Sequence, residues 1–205
     1  MCLMISDIVK PAVTRIITPA AKVLLRLGLT PNSVTVVGAI GLVTSAFIFY
    51  PSENFILGTV FVSFFALSDL FDGTMARISQ QGSSRWGAFL DSTIDRITDS
   101  AVLMSLIFAL DKEHDDLLPV AAVALLTGIL VPYIRAKAES LDVQCRGGLA
   151  ERTERLIIIL IAIFLHGFGL DYALAIGIWL VAILGAITSV QRIFIVRKAL
   201  KGSAD

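Results

Sequence analysis

The chain has 205 residues, 56% of them hydrophobic and only 17% charged, and its 17 basic and 17 acidic residues cancel to zero net charge. Soluble domains carry about 45–50% apolar and about 25% charged residues. With a mean hydropathy of +0.84, this balance excludes a disordered chain, a disulfide scaffold and a basic nucleic-acid binder, and it points to a polytopic membrane protein.

Residues 1–26 come first. They mix apolar residues with Lys10, Arg15, Lys22 and Arg26, and Pro11 and Pro19 break the stretch. A basic amphipathic segment of this kind is expected to lie at the membrane interface without spanning it. No secretory signal peptide is expected, because Asp7 and Pro11 interrupt the apolar run and no small-residue cleavage site follows. Six apolar segments follow, at 27–52, 54–68, 100–110, 117–134, 156–170 and 172–191, with His166 the one residue inside them that can carry charge near neutral pH. The third helix is expected to begin earlier than its apolar run, near Ser84. A span needs about 20 mostly apolar residues, so the shorter runs must bring polar residues into the hydrocarbon or to its edge. The expected fold is all-α and integral to the membrane: a juxtamembrane segment at 1–26, then one six-helix domain at 27–201. Cys2 and Cys145 are far apart without metal-like spacing and read as free thiols.

The junctions alternate in charge. The N-terminal segment is basic, the turn near Pro51 holds only Glu53, and the turn from Arg77 to Arg85 is basic. The turn at 111–116 is acidic apart from Lys112 and His114. The stretch from Arg135 to Arg155 has five basic residues, the turn near Asp171 has none, and the end carries Arg192, Arg197, Lys198 and Lys201. The positive-inside rule then places both termini in the cytoplasm and independently gives six spans.

Four carboxylates stand out. Asp69 and Asp72 close the second span, and Asp91 and Asp95 open the third. Spacings of three and four place each pair on one helix face, and a short cytoplasmic turn joins the two helices. An ionised Asp in a membrane helix costs about 2.5–3.5 kcal/mol on insertion scales, and four together repel one another unless cations intervene. Hard oxygen ligands suit Mg²⁺ or Mn²⁺, so one or two divalent ions are expected between the helices. Gly73, Ala76 and Gly87 accompany them and leave room for a bulky ligand; small-residue helix packing is the competing explanation. Arg135, Lys137, Arg152, Arg155 and Arg192 sit near cytoplasmic helix ends. Arginine forks match phosphate oxygens, whereas plain positive-inside bias accounts for Arg197, Lys198 and Lys201. His114 and His166 fall at the opposite face from the aspartates and read as ordinary interfacial residues.

The string Asp69-Leu-Phe-Asp72-Gly73-Thr-Met-Ala76-Arg77, followed by Gly87-Ala-Phe-Leu-Asp91-Ser-Thr-Ile-Asp95, resembles the signature of the CDP-alcohol phosphatidyltransferases at all eight defined positions. Nine residues separate Arg77 from Gly87, more than the family usually has. The surplus falls in a turn, where insertion is tolerated, and it bears on Ser84 more than on the aspartates. Leu29-Thr-Pro31-Asn32-Ser33-Val-Thr35 resembles the family's segment before the first span. Tyr133-Ile-Arg135-Ala-Lys137-Ala-Glu139, Gly148-Leu-Ala-Glu151-Arg152-Thr-Glu154-Arg155, Asp95-Arg96 and Gln191-Arg192 look like the actinobacterial branch that makes phosphatidylinositol phosphate. Pro132 stands where some members of that branch have a phosphate-holding serine.

The resemblance implies a reaction: CDP-diacylglycerol plus inositol 1-phosphate gives phosphatidylinositol phosphate and CMP. It implies Asp69, Asp72, Asp91 and Asp95 as ligands of two Mg²⁺ or Mn²⁺ ions, with Asp95 also taking the inositol hydroxyl proton. Pro31, Asn32, Ser33, Thr35, Gly73, Arg77 and Ser84 would hold CDP-diacylglycerol, and Arg135, Lys137, Arg152, Arg155 and Arg192 the acceptor phosphate. Glu151 and Glu154 would orient their neighbouring arginines, and Asp99 could pair with Arg96 or hydrogen-bond within the bundle. It also implies a homodimer in the cell membrane with a cytoplasmic active site. The rivals are a glycerol 3-phosphate acceptor in the same family and, remotely, a cation-coupled transporter. A transporter's carboxylates would be expected nearer the midplane and in two symmetric halves, and the sequence has no internal repeat.

Overall fold

The structure is a computed structural model that describes residues 17–79, 84–112, 115–145 and 147–202. Positions 1–16 of the expected interfacial segment, with Cys2, and His114 lie outside the described residues. Every described element is an α-helix: α1 at 17–26, α2 Pro31–Phe49, α3 Phe55–Ala66, α4 Ser68–Ile78, α5 Arg85–Lys112, α6 Leu118–Glu139, α7 Arg152–Gly167 and α8 Asp171–Gly202.

Local chemistry sets the helix ends. At the start of α2 the Ser33 hydroxyl accepts the Thr30 N–H (2.9 Å) while the Thr30 hydroxyl accepts the Ser33 N–H (3.2 Å). This reciprocal cap, with Pro31 in the first turn, satisfies amides that the helix itself leaves open. Ser84 caps α5 by accepting the Gly87 N–H at 2.9 Å. Gly28 closes α1 with φ +82°, and the Gly28 and Leu29 amides return to the carbonyls of Leu25 and Leu24, both at 3.1 Å. That left-handed turn is the conformation glycine adopts at least cost.

Among the described residues, four stretches are long and apolar enough to cross a membrane: Pro31–Phe49, Phe55–Ile78 (α3 and α4 together), Leu118–Glu139 and Asp171–Lys201. The other two expected spans correspond to α5 and α7. α5 carries Asp91, Asp95, Arg96 and Asp99 in its first half, and α7 opens with Arg152, Glu154 and Arg155. The 16 residues of α7 give about 24 Å of helix, short of a hydrocarbon core of about 30 Å.

The chain divides into two compact units, one of residues up to 45 with 60–98, the other of 46–59 with residues from 99 onward. In the first, α1 packs Ile17 and Ala21 against Met75 of α4, with Leu24, Leu25, Val34, Phe71 and Ile78 around them. Phe71, Met75 and Ile78 recur at helical spacing, so Asp69, Asp72 and Gly73 fall on the other side of α4. Two glycines of α2 allow close approach to α3 and α4. A Cβ at Gly38 would lie 1.9 Å from the Ser68 hydroxyl, and one at Gly41 2.4 Å from the Phe65 ring.

In the second unit α8 packs against both α6 and α7. Gly177 leaves room for Ala162 of α7, where a Cβ would come within 2.2 Å, and Gly185 does the same for Thr127 of α6 at 2.4 Å. Lipid supplies no hydrophobic drive between helices, so van der Waals contact through small residues carries this packing. At the turn after α2, Tyr50 is fully buried, stacks on Phe55 and shares a hydrogen bond with Thr59 at 3.4 Å. Burial pushes its phenol up to about 12. His166 sets its ring edge-on to Phe55, with centroids 4.9 Å apart.

Candidate functional site

The first unit gathers three of the four aspartates. One carboxylate oxygen from each of Asp69, Asp72 and Asp91 lies within 4.8 Å of the others. Asp69 and Asp72 come from the polar side of α4, and Asp91 from the second turn of α5. Asp72 is buried, with 7% exposure, and accepts a hydrogen bond from the Thr35 hydroxyl, itself buried. Thr35 also donates to the Pro31 carbonyl at 3.0 Å. Three hard anionic oxygens this close, one of them oriented by a hydroxyl, fit a divalent cation such as Mg²⁺ or Mn²⁺. Asp95 is outside the triplet. It lies one turn beyond Asp91, is 17% exposed, and pairs with Arg96 at 3.4 Å.

The residues expected to hold CDP-diacylglycerol separate into two groups. The hydroxyls of Ser33 and Ser84 are helix caps, and Thr35 supports Asp72. Gly73, Arg77 and Asn32 remain beside the acidic centre by chain position or by contact. A Cβ built on Gly73 meets nothing within 4 Å, so this glycine borders open space. Helix packing therefore does not explain it, unlike Gly38 and Gly41. Arg77 is exposed and folds its Nε back onto the Gly73 carbonyl at 2.9 Å. Asn32 borders Gly87, where a Cβ would lie 3.2 Å from its side-chain oxygen. Pro31 occupies the first position of α2.

The expected phosphate-binding residues all lie in the second unit, each in a different setting. Arg152 and Arg155 share a cleft lined also by Asp99, Leu103, Gly128 and Ile159. Arg155 is buried, and Arg152 donates its Nε–H to both oxygens of Asp99 at 3.2 Å. Arg135 bonds Glu139 one turn along α6 at 2.8 Å, at an exposed position. Lys137 is exposed. Arg192 is 6% exposed and donates to the Val131 carbonyl at 2.8 Å and the Gly147 carbonyl at 3.1 Å. It thus ties α8 to α6 and to the loop before α7. Gln191 and Thr188 strengthen that tie by accepting the amides of Leu149 (3.2 Å) and Ala150 (3.4 Å). Gly148 has φ +139°, and a Cβ there would lie 2.5 Å from Thr188, so the loop passes α8 where only glycine fits.

One expectation changes. Glu151 and Glu154 form a reciprocal cap on α7, each side chain meeting the other's backbone amide. They close the helix end, and the partner of Arg152 comes from Asp99 on α5. Sequence reasoning missed this pair because 53 positions separate the two residues. It missed the loop-holding role of Thr188 and Gln191 for the same reason.

These features define an integral membrane protein with a carboxylate cluster that could hold a divalent metal and with an arginine-lined cleft. Residues 28–194 match the CDP-alcohol phosphatidyltransferase family, and the chain belongs to that family of enzymes. A phosphatidylinositol phosphate synthase of Streptomyces avermitilis is 41% identical over 90% of this chain and 79% of its own length. The synthase of Mycobacterium bovis BCG is 38% identical over 96% of each chain. Among solved structures, the Mycobacterium tuberculosis synthase with CDP-DAG bound superposes with a TM-score of 0.84, at 40% identity over 89% of this chain and 94% of that one. The same enzyme in complex with manganese and citrate gives a TM-score of 0.83, at 39% identity over 88% of each chain.

Proposed function

We propose that this enzyme transfers the phosphatidyl group of CDP-diacylglycerol to inositol 1-phosphate, releasing CMP. The observation that carries the choice of acceptor is the cleft in which Asp99 anchors Arg152 beside the buried Arg155. A guanidinium pair in a recess lined with apolar side chains suits a phosphorylated alcohol and has no use for serine or choline. The naming of the curated relatives supports inositol 1-phosphate over glycerol 3-phosphate, the alternative acceptor.

In this reading Asp69, Asp72 and Asp91 hold Mg²⁺ or Mn²⁺, and a second ion would draw in Asp95. A bound divalent ion supplies charge neutralisation of the diphosphate and of the leaving CMP. The chain's own residues do the rest. Thr35 fixes the rotamer of Asp72. Gly73 leaves the space in which the nucleotide approaches α4, and Arg77 and Asn32 border that space, with Pro31, Ser33 and Ser84 shaping the helix ends around it. Asp95 accepts the proton of the attacking inositol hydroxyl, so the hydroxyl attacks the β-phosphorus directly and no enzyme nucleophile is needed. Arg152 and Arg155 bind the acceptor phosphate, with Arg135 and Lys137 at the exposed approach. Arg192 acts mainly by holding the loop that leads into α7.

Residues 27–201 form one domain of six spans, with α5 and α7 crossing despite their charges, and residues 1–26 lie along the interface. Both termini and the active site face the cytoplasm, and the enzyme acts as a homodimer. CMP release from purified enzyme with Mg²⁺ and CDP-diacylglycerol tests the acceptor. Release with inositol 1-phosphate but not with glycerol 3-phosphate or free inositol is expected. Release with glycerol 3-phosphate alone would move the enzyme to the alternative branch.

A further inference from the structure

We infer that Asp99 is a positioning residue: it holds the guanidinium of Arg152 in the orientation that receives the acceptor phosphate. The inference rests on the reading of Arg152 as an acceptor-phosphate residue.

Three observations support it. The first is the contact. Arg152 presents its Nε–H to both carboxylate oxygens of Asp99 at 3.2 Å, and both side chains are about one-quarter exposed, at 24% each. An Nε–H held in this way fixes the plane of the fork and hence the direction of its terminal NH₂ groups. The second is the disposition of the nearer acids. Glu151 and Glu154 flank Arg152 in sequence, but their side chains cap α7, so the carboxylate that meets Arg152 Nε comes from another helix. The third is the setting. Asp99 and Arg152 line the same cleft as Arg155, and Gly128, which also lines it, has nothing within 4 Å of a Cβ built there. The pair therefore lines the same recess as the buried Arg155.

A carboxylate in a membrane helix is costly unless it is paired or used. One role for Asp99 would be neutralisation of Arg152 for folding alone. Positioning makes a different demand, because it affects one substrate and not the other. Asp99 meets an arginine of α7 from a different helix. A residue so placed can align the acceptor without touching it.

The test is steady-state CMP release by the purified enzyme in detergent with Mg²⁺, varying inositol 1-phosphate and CDP-diacylglycerol separately. Asp99→Asn keeps the size and one oxygen acceptor but removes the charge. It is expected to raise the KM for inositol 1-phosphate about tenfold, the scale of a charged hydrogen bond. Its kcat and its KM for CDP-diacylglycerol should stay within about twofold of wild type. Asp99→Glu should recover part of the lost acceptor affinity, as a merely space-filling role would not. In an Arg152→Ala background, Asp99→Asn should add nothing further. Equal effects of Asp99→Asn on both KM values, or an effect fully additive with Arg152→Ala, would overturn the inference. An unchanged acceptor KM in Asp99→Asn together with a raised one in Arg152→Ala would overturn the inference and leave the acceptor reading standing. An unchanged acceptor KM in Arg152→Ala would overturn both. Should Asp99→Asn fail to fold, Asp99→Ser takes its place: a raised acceptor KM with an unchanged lipid KM supports positioning, and no change in either overturns it.

Discussion

The acidic and the basic regions treat like charge in opposite ways. Around α4 and the start of α5, three carboxylates converge until their oxygens lie within 4.8 Å. In the unit built around α8, the cationic side chains are given separate seats: Arg152 on Asp99, Arg135 on Glu139 and Arg192 on two backbone carbonyls. Convergence of anions against their mutual repulsion is tolerable where a cation completes the set. Dispersal of cations onto internal acceptors gives a folded scaffold in which each fork has a fixed direction. The first arrangement anticipates an ion, and the second anticipates a shaped anion.

The largest expected effect breaks the acidic half of this comparison. Asp72→Asn removes the buried charge of the triplet while keeping its shape and its contact with Thr35. CMP release should fall by roughly 10³-fold or more, the scale of losing metal-assisted charge stabilisation, and chelation of divalent ions should do the same to the wild-type enzyme. Activity within tenfold of wild type would remove Asp72 from the metal site. Thr35→Val probes the layer behind it. Loss of the hydroxyl should weaken the metal requirement's half-saturation by about 10–100-fold, as outer-sphere partners generally do, and excess Mn²⁺ should recover turnover. Failure of excess metal to recover it would make Thr35 structural only.

How much of this could be read from the sequence follows from how far each interaction reaches along the chain. The aspartates were legible because their spacing is local: Asp69 with Asp72 and Asp91 with Asp95 share helix faces by period alone. The open space at Gly73 was legible for the same reason, whereas the close contacts of Gly38 and Gly41 with α3 and α4 needed the fold. Ser33 and Ser84 each stand beside amides that a new helix leaves without partners, so their capping role is legible from local sequence as well. The pairing of Asp99 with Arg152 depends on how α5 meets α7, and no local pattern encodes it. Charge along α5 and the shortness of α7, at 16 residues, explain why the alternation of charge along the sequence reads six spans while length and apolarity single out four.

A smaller effect sharpens the basic half. Arg192 was expected among the phosphate ligands, yet its Nε and Nη1 donate to Gly147 and Val131. Arg192→Lys keeps the charge but loses the fork geometry that meets two carbonyls at once. A lysine can satisfy one of them, so a buried acceptor is left short by about 1–3 kcal/mol. If Arg192 acts through the loop, this variant should lower the thermal midpoint and raise the acceptor KM only a few-fold. A large rise in acceptor KM at unchanged thermal stability would instead return Arg192 to direct phosphate contact.

The smallest perturbation is one methyl group, and the two kinds of glycine make it informative. Gly73→Ala places a Cβ where nothing lies within 4 Å, and Gly41→Ala places one 2.4 Å from the Phe65 ring. Alanine is also the better helix former, by about 1 kcal/mol. Gly73→Ala should therefore fold at least as well as wild type, while Gly41→Ala should lose about 1–3 kcal/mol through overpacking. Activity should rank them the other way. If the space beside Gly73 admits the nucleotide, its methyl group raises the KM for CDP-diacylglycerol severalfold in a protein whose stability has not fallen. Gly41→Ala should leave that KM near wild type in whatever fraction folds. A Gly73→Ala enzyme with unchanged lipid kinetics would mean that the open space serves no ligand. The acidic centre would then need another route for the diphosphate to reach it.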